Sequence, residues 1–156
     1  MPLEKLQNKI IENTLNDVYC RLRPSIIHEG GVGIFAIRDI PKDTNPFKVA
    51  IRTPAYMLIN KNELKNAPEP IQEMVSDFSF LNENNEYAML LNGLNSLPLE
   101  WYLNHSDTPN ILRRFYEDDD YVIYIAARDI KVDEELSFNY RHEVMPFDKT
   151  FSFDKL

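Results

Sequence analysis

A cluster of hydrogen-bonding side chains lies past the middle of the chain, directly after a bulky apolar triplet. The segment 104–110 reads Asn-His-Ser-Asp-Thr-Pro-Asn, and it follows Trp101-Tyr102-Leu103. Amide, imidazole and hydroxyl groups held at the edge of a core can bind a polar ligand or move a proton. A single histidine is also commonly a satisfied structural residue, so His105 alone does not identify a site.

Three of the four glycines are concentrated in one segment, 30–33. Residues 31–36 read Gly-Val-Gly-Ile-Phe-Ala, which matches the G-x-G-x-x-A form of the dinucleotide fingerprint. That fingerprint also needs a following helix, which Pro41 would break, and an acidic residue about 20 positions on, which is missing. We therefore expect a tight glycine loop leading into a strand, where the backbone can approach a ligand; a plain turn is the alternative.

A third segment, 133–140, reads Asp-Glu-Glu-Leu-Ser-Phe-Asn-Tyr. It indicates an acidic turn that leads into a short strand ending at Tyr140. Taken alone, this pattern is also typical of an ordinary surface turn and strand.

Composition narrows the classes of function. The 156 residues suit one domain, and 44% of them are hydrophobic, enough for a core. The formal net charge of −8 disfavours nucleic acid and favours a cationic partner. The longest apolar run, Tyr121 to Ala127, is far shorter than the roughly 18 residues of a membrane span, so no membrane contact is expected.

Few residues are available for a metal site. One cysteine, Cys20, excludes an intrachain disulfide, and with three histidines it leaves little for a structural zinc site. The first residues, Met1 to Lys5, lack the apolar core of a secretory signal, so we expect an intracellular protein, either cytoplasmic or nuclear.

The elements that must position these segments are mostly short strands. Residues 3–18 have helical periodicity after Pro2, as in a helix that packs on its own domain or forms a homodimer contact. Closely spaced prolines and glycines between 24 and 54 favour short strands. The stretch 60–76 predicts one or two short helices, with Asn60 and Glu63 as a capping pair.

Two hairpins are predicted further along the chain. One pairs 78–80 with 87–91 across the turn-rich segment 82–85. The other pairs 111–116 with 121–127 across the acidic run 117–120. That run is either a solvated turn or a calcium loop, although it lacks the glycine and ligand alternation of a calcium loop.

Together and in this order, the three segments resemble the SET-domain protein-lysine methyltransferases. That family has a G-x-G-x-F-A loop near its start, an N-H-S-x-x-P-N segment past its middle and a G-E-E-L-T-x-D-Y segment near its end. Here the matching residues are 31–36, Asn104-His105-Ser106 with Pro109-Asn110, and Glu134-Glu135-Leu136 with Tyr140. The resemblance extends from about Tyr19 to Tyr140.

The resemblance implies a mainly β (β+α) fold of several small curved sheets. The last motif would thread under a loop from the preceding segment in a knot-like crossing. The expected organisation is an N-terminal helix at 1–18, a SET domain at 19–140 with a variable insert at about 53–95, and an aromatic tail at 141–156.

The implied activity is methyl transfer from S-adenosylmethionine to the ε-amine of a lysine in a protein, histone or non-histone, without a metal. The product cofactor would be S-adenosylhomocysteine. Tyr140 would be the catalytic residue. The implied cofactor contacts are Gly31, Val32 and Gly33 through the backbone, with Asn104, His105, Tyr140 and Phe151. The implied walls of the lysine channel are Phe138, Tyr140, Tyr102 and Tyr87.

The chain departs from the family pattern at several positions. Asp107 stands where cysteine is common, Asn139 where aspartate is common, and Asp43 where glycine is common. No cysteine follows Tyr140, so the zinc-bound lid of many members is missing. Tail aromatics would replace that lid or simply cap the core; they are Phe147, Phe151 and Phe153.

Phe138 lies two residues before Tyr140, where the choice of Phe or Tyr in the family tunes the number of methyl groups added. Phenylalanine there implies di- or trimethylation. The predicted function is thus a protein-lysine methyltransferase, and the alternative is a catalytically silent SET-like module that binds a protein partner. The sequence does not specify the substrate protein.

Overall fold

The computed structural model describes residues 1–50, 56–79, 81–90, 92–116 and 119–142. Within these residues the chain forms two α-helices and eight short strands. In chain order they are α1 (Leu3–Asn16), β1 (Cys20–Pro24), β2 (Val32–Ala36), β3 (Tyr56–Asn60), α2 (Glu69–Phe78), β4 (Glu86–Leu90), β5 (Asn104–His105), β6 (Ile111–Tyr116), β7 (Asp119–Ala126) and β8 (Glu135–Phe138). The expected mainly β fold of small sheets with short helices is confirmed.

Contacts divide the described residues into two compact units. The first comprises residues 1–50 and 98–142, and the second comprises those from 56 to 97. The second unit falls largely within the expected insert. The bounds that the sequence predicts for the N-terminal helix, the SET domain with its insert, and the aromatic tail stay predictions.

The first unit is built on a four-stranded sheet with the order β1-β2-β8-β5. Strands β1 and β2 are antiparallel, β2 and β8 are antiparallel, and β5 runs parallel to β8. The strand nearest the end of the described chain therefore lies between a strand from its beginning and one from its middle. This order brings residues more than 100 positions apart in sequence side by side.

The core of the first unit is aliphatic. Side chains from β2, β6 and β8 and from the turns that follow β2 and β7 are fully buried in one cluster. They are Ile34, Ile40, Ile111, Ile130 and Leu136, each 0% exposed. Burial of a large aliphatic side chain contributes about 1.5–3 kcal/mol. All four residues of β8 are buried, although Glu135 and Ser137 are polar, so each needs hydrogen-bond partners.

A two-stranded sheet of β6 and β7 completes this unit. Ile111 pairs with Ala126, and Arg113 pairs with Tyr124. The hairpin predicted here is confirmed, with β7 beginning two residues earlier than expected and ending at Ala126. Glu117 and Asp118 of the acidic run lie outside the described residues.

The second unit contains β3, β4 and α2. The predicted turn at 82–85 is confirmed by an antiparallel bridge between Leu81 and Tyr87, but the predicted strand at 78–80 is wrong, because Phe78 ends α2 and β4 pairs with β3. The apolar residues of α2 return at helical spacing through Phe78, which keeps that residue in the helix. Two short helices in the insert are confirmed: α2, and a 3-10 helix at Lys61–Leu64 whose first turn is capped by the Asn60 side chain.

Helix α1 follows Pro2 as predicted but ends at Asn16 instead of residue 18. Arg38 donates hydrogen bonds to the carbonyl oxygens of Leu15 and Asn16 and so anchors the end of the helix. None of its residues is buried in the part of the chain that the structure describes. Among those same residues, neither helix has the length and apolar content needed to span a bilayer.

Candidate active site

The three motif segments meet on neighbouring strands. The glycine loop leads into β2, the Asn104-His105 pair forms β5, and the last motif forms β8 between them. Asn104 is paired with Ser137 and His105 with Phe138. The N–H of Ser106 donates to the carbonyl of Phe138 and extends this pairing by one residue.

Glu135 links the glycine loop to Asn104. The Ser25 hydroxyl and the Asn104 amide donate to Oε1 of Glu135 at 2.7 and 3.0 Å, and the N–H groups of Ile26 and Ile27 donate to Oε2 at 2.7 and 3.1 Å. Burial raises the pKa of the Glu135 carboxyl, but these hydrogen bonds outweigh burial and hold that pKa below its ordinary value. The group is therefore a buried carboxylate at neutral pH.

The Asn104 side chain has a defined orientation. Its Nδ2 donates to the Val32 carbonyl at 2.9 Å and to Glu135 at 3.0 Å, and Ser25 Oγ lies 3.1 Å away. Because these partners are acceptors, the amide nitrogen must face them and Oδ1 must face the opposite way. No donor in the described part of the chain reaches Oδ1, so this oxygen can accept a hydrogen bond from a ligand.

Tyr140 is attached to the β5 segment at both ends. Its N–H donates to Nδ1 of His105 at 3.1 Å, and its hydroxyl donates to the carbonyl of Leu103 at 2.5 Å. A neutral His105 therefore carries its proton on Nε2, which lies 3.3 Å from Asp107 Oδ1. Tyr140 is 50% exposed, so part of this side chain is accessible from outside the unit.

An aromatic group lies next to Tyr140. The centre of the Phe138 ring is 6.4 Å from that of the Tyr140 ring. The Tyr124 ring contacts the Phe138 ring edge-on, with 5.7 Å between their centres. The Arg113 guanidinium lies 5.0 Å from the centre of the Phe138 ring and 5.6 Å from that of Tyr124. These rings form an apolar wall beside Tyr140.

A different neighbouring side chain leaves no room for a Cβ atom at each of the two motif glycines, Gly31 and Gly33. A Cβ at Gly33 would overlap the Glu135 carboxylate, and one at Gly31 would overlap the His28 ring. Gly31 also uses its N–H and its carbonyl within the loop, bonded to His28 and Ser25. The sequence predicts that a ligand approaches Gly33 closely. At the position of the missing Cβ, the group that lies close to Gly33 is the Glu135 side chain.

The model of the SET-domain family matches residues 31–141. The chain belongs to the SET-domain family. A crystal structure of a candidate histone methyltransferase from Plasmodium falciparum is 20% identical in sequence and superposes with a TM-score of 0.48. The alignment covers 81% of this SET-domain chain and 96% of the other. No curated protein sequence matches the chain.

The other predicted site residues of this SET domain lie in three separate parts of the chain. Tyr102 ends a 3-10 helix, Leu99–Tyr102, and packs against the core cluster that contains Phe138. Tyr87 is buried on β4 of the second unit, opposite Ile59. The three tail aromatics lie outside the described residues: Phe147, Phe151 and Phe153. The roles assigned to all of these residues stay predictions.

The departures from the family pattern have local partners. Arg141 joins two of them, since its guanidinium donates to Asp107 at 3.0 Å and its N–H donates to Asn139 Oδ1 at 2.9 Å. Asp43 has a φ of 64°, in the left-handed region that favours glycine. No group of three or more His, Cys, Asp or Glu side chains is placed to hold a metal ion among the described residues.

Sequence reasoning missed three residues that shape the site. Ser25 and Arg113 lie outside the motifs, and nothing in their immediate sequence marks them. Asn110 was quoted as part of a motif but given no role; it is 4% exposed, and its side chain bonds the Glu135 carbonyl and the Ser137 N–H. The amide thus serves β8 as a strand partner would.

Proposed function

We propose that the protein is an S-adenosylmethionine-dependent protein-lysine N-methyltransferase. SET-domain proteins generally have this activity. The observation that supports it here is the convergence of the Asn104-His105 pair, the glycine loop and Tyr140, which follows β8, around three neighbouring strands. Their sequence order matches the family.

The residues present fit the cofactor. Asn104 Oδ1 is an open acceptor for the ammonium of its amino-acid part, and the loop at 31–33 offers backbone beside that amide. Val32 is exposed, so this part of the loop is accessible. When bound, the cofactor supplies a methyl group on a positively charged sulfur.

The chain's own residues would prepare the lysine. The Tyr140 hydroxyl, which donates to the Leu103 carbonyl, would lie beside the lysine amine. The rings of Phe138 and Tyr140 would exclude water from the lysine side chain. A free lysine amine has a pKa near ~10.4 and must lose its proton to attack; an apolar wall beside the amine favours that loss.

We propose a basic, lysine-bearing protein segment as the substrate, histone or other. The net charge of −8 supports this choice, because an acidic protein attracts a basic segment and speeds its encounter. Transfer rates should then fall as salt concentration rises.

Binding of the cofactor is the first test. Calorimetric titration with S-adenosylhomocysteine should show one site per chain, and saturating ligand should raise the melting temperature. Binding without transfer to any lysine in a panel of basic proteins would favour the silent interaction module. Absence of both binding and thermal shift would overturn the proposed function.

A further inference from the structure

Both oxygens of the Glu135 carboxylate accept hydrogen bonds from groups in the segments proposed to bind the cofactor. Glu135 itself belongs to a buried strand, β8. It is 6% exposed, and its strand neighbour Leu136 is fully buried. Two of its four donors come from the backbone of the loop that precedes β2, and the other two are the side chains of Ser25 and Asn104. The carboxylate therefore joins the first motif to the second.

The surroundings of Glu135 differ from those of an ordinary buried ion pair. No lysine or arginine in the described ranges forms a salt bridge with it, so neutral donors alone compensate its charge. A buried carboxylate without such donors is strongly unfavourable. The loop is thus held in one conformation by the requirement to satisfy this charge, and Ser25 further fixes it by accepting from the N–H groups of Ile27 and His28.

The same carboxylate, together with the Val32 carbonyl, sets which way the Asn104 amide faces. Glu135 is an acceptor only, so Nδ2 of Asn104 turns toward it and Oδ1 turns away. Gly33 makes room for this contact, because a Cβ there would overlap the carboxylate. A neutral amide at position 135 could present its own NH2 group to Asn104 and reverse the orientation.

We propose that Glu135 is a positioning residue for cofactor binding, which holds the 25–33 loop and turns Asn104 Oδ1 toward the ligand. This inference rests on the proposed function. It assigns to Glu135 an effect on cofactor affinity and none on the lysine or on the methyl-transfer step itself.

The neighbouring residue provides a matched control. Glu134 ends the turn that leads into β8. Its carboxylate pairs with Arg128 at 2.8 Å and accepts from the N–H of Lys131 at 2.6 Å, away from the loop and from Asn104. Glu134→Gln makes the same chemical change as Glu135→Gln, one position earlier. A general effect of losing one carboxylate from this turn would appear in both variants.

The test is calorimetric titration of the full chain and both variants with S-adenosylhomocysteine. Glu135→Gln should raise Kd at least about tenfold and Glu134→Gln by less than about twofold, a difference of about 1 kcal/mol or more in binding free energy. In turnover assays, saturating cofactor should restore kcat of Glu135→Gln while KM for the lysine substrate stays unchanged. If Glu135→Gln fails to fold, Ser25→Ala, which removes one donor, should show the same selective loss of affinity.

Equal affinity of wild type and Glu135→Gln would overturn this inference and leave the proposed function standing. An equal loss of cofactor affinity in Glu134→Gln would also overturn the inference. So would a kcat of Glu135→Gln that saturating cofactor does not restore. Where Ser25→Ala is used, unchanged affinity in that variant would overturn it. A wild-type chain that binds no S-adenosylhomocysteine would instead contradict the proposed function itself.

Discussion

The hydroxyl of Tyr140 donates a hydrogen bond to the carbonyl of Leu103, 2.5 Å away, across 37 positions of sequence. The bond fixes the direction of the hydroxyl group. Tyr140→Phe keeps the ring and its contact with His105 but removes the hydroxyl. Methyl transfer should fall by about a hundredfold or more, as expected for loss of a preorganised polar group.

The cofactor affinity of Tyr140→Phe should stay close to that of the wild type, because the backbone N–H of residue 140 still bonds His105. Single-turnover rates and calorimetry measure the two effects separately. An unchanged rate would show that the hydroxyl has no part in transfer.

The product state depends on the space beside Phe138. This ring is 6% exposed and is bounded by Tyr124 and Arg113, so a hydroxyl added at its edge would take space from the methyl groups. Phe138→Tyr should shift products toward monomethyl-lysine, as measured by mass spectrometry. Phe35→Tyr, a buried ring on β2, is the control and should leave the distribution unchanged. An unchanged distribution in Phe138→Tyr would contradict this role.

Asn110 should be important for stability. Asn110→Ala leaves the Glu135 carbonyl and the Ser137 N–H without their side-chain partner in a buried strand. Unsatisfied buried groups cost about 1–3 kcal/mol each, so for these two groups the free energy of unfolding should fall by about 2–6 kcal/mol. Urea denaturation would measure it, and the exposed Asn66→Ala should change it by less than about 0.5 kcal/mol. Equal stability of the two variants would refute the strand-partner role.

Glu135 should make stability depend on acid pH. Its pKa is lowered in the folded protein, so its contribution is present at pH values above the ordinary glutamate pKa near ~4.3 and is lost as the pH falls through the lower folded pKa. Between pH 5 and 3, the free energy of unfolding should fall less steeply in Glu135→Gln than in the wild type. Urea denaturation series at several pH values would test this, and parallel curves would count against it.

Cys20 should be unreactive while the protein is folded. It is 6% exposed, and burial raises its pKa to about 12, so almost no thiolate is present at pH 8. Labelling with a thiol reagent should be slow in buffer and fast in denaturing urea. Rapid stoichiometric labelling of the folded chain would contradict the burial of Cys20 that the structure shows.

The sequence predicted those parts of the fold that local patterns specify. Helix α1, the β6-β7 hairpin and the glycine loop before β2 each follow from periodicity or turn residues over a few positions. The pairing of β4 was predicted incorrectly because the correct partner, β3, is about 30 positions away in sequence, and local patterns favour near neighbours. Long-range pairing is decided by packing, which a local pattern does not contain.

The candidate site shows the same division. The motif residues Tyr140, Asn104 and His105 were identified by family resemblance, but their mutual contacts were not. The Ser25–Glu135 hydrogen bond spans 110 positions, and nothing near Ser25 marks it as a partner. The approach of a ligand to Gly33 stays a prediction; the group that occupies the space of its Cβ is the Glu135 carboxylate.

The most direct test of the central claim is mass-spectrometric detection of methylated lysine in a basic protein incubated with S-adenosylmethionine and the purified chain. The account predicts methyl-lysine with the wild type and almost none with Tyr140→Phe under the same conditions. No methyl-lysine with a wild type that binds the cofactor, or equal amounts with both proteins, would contradict it.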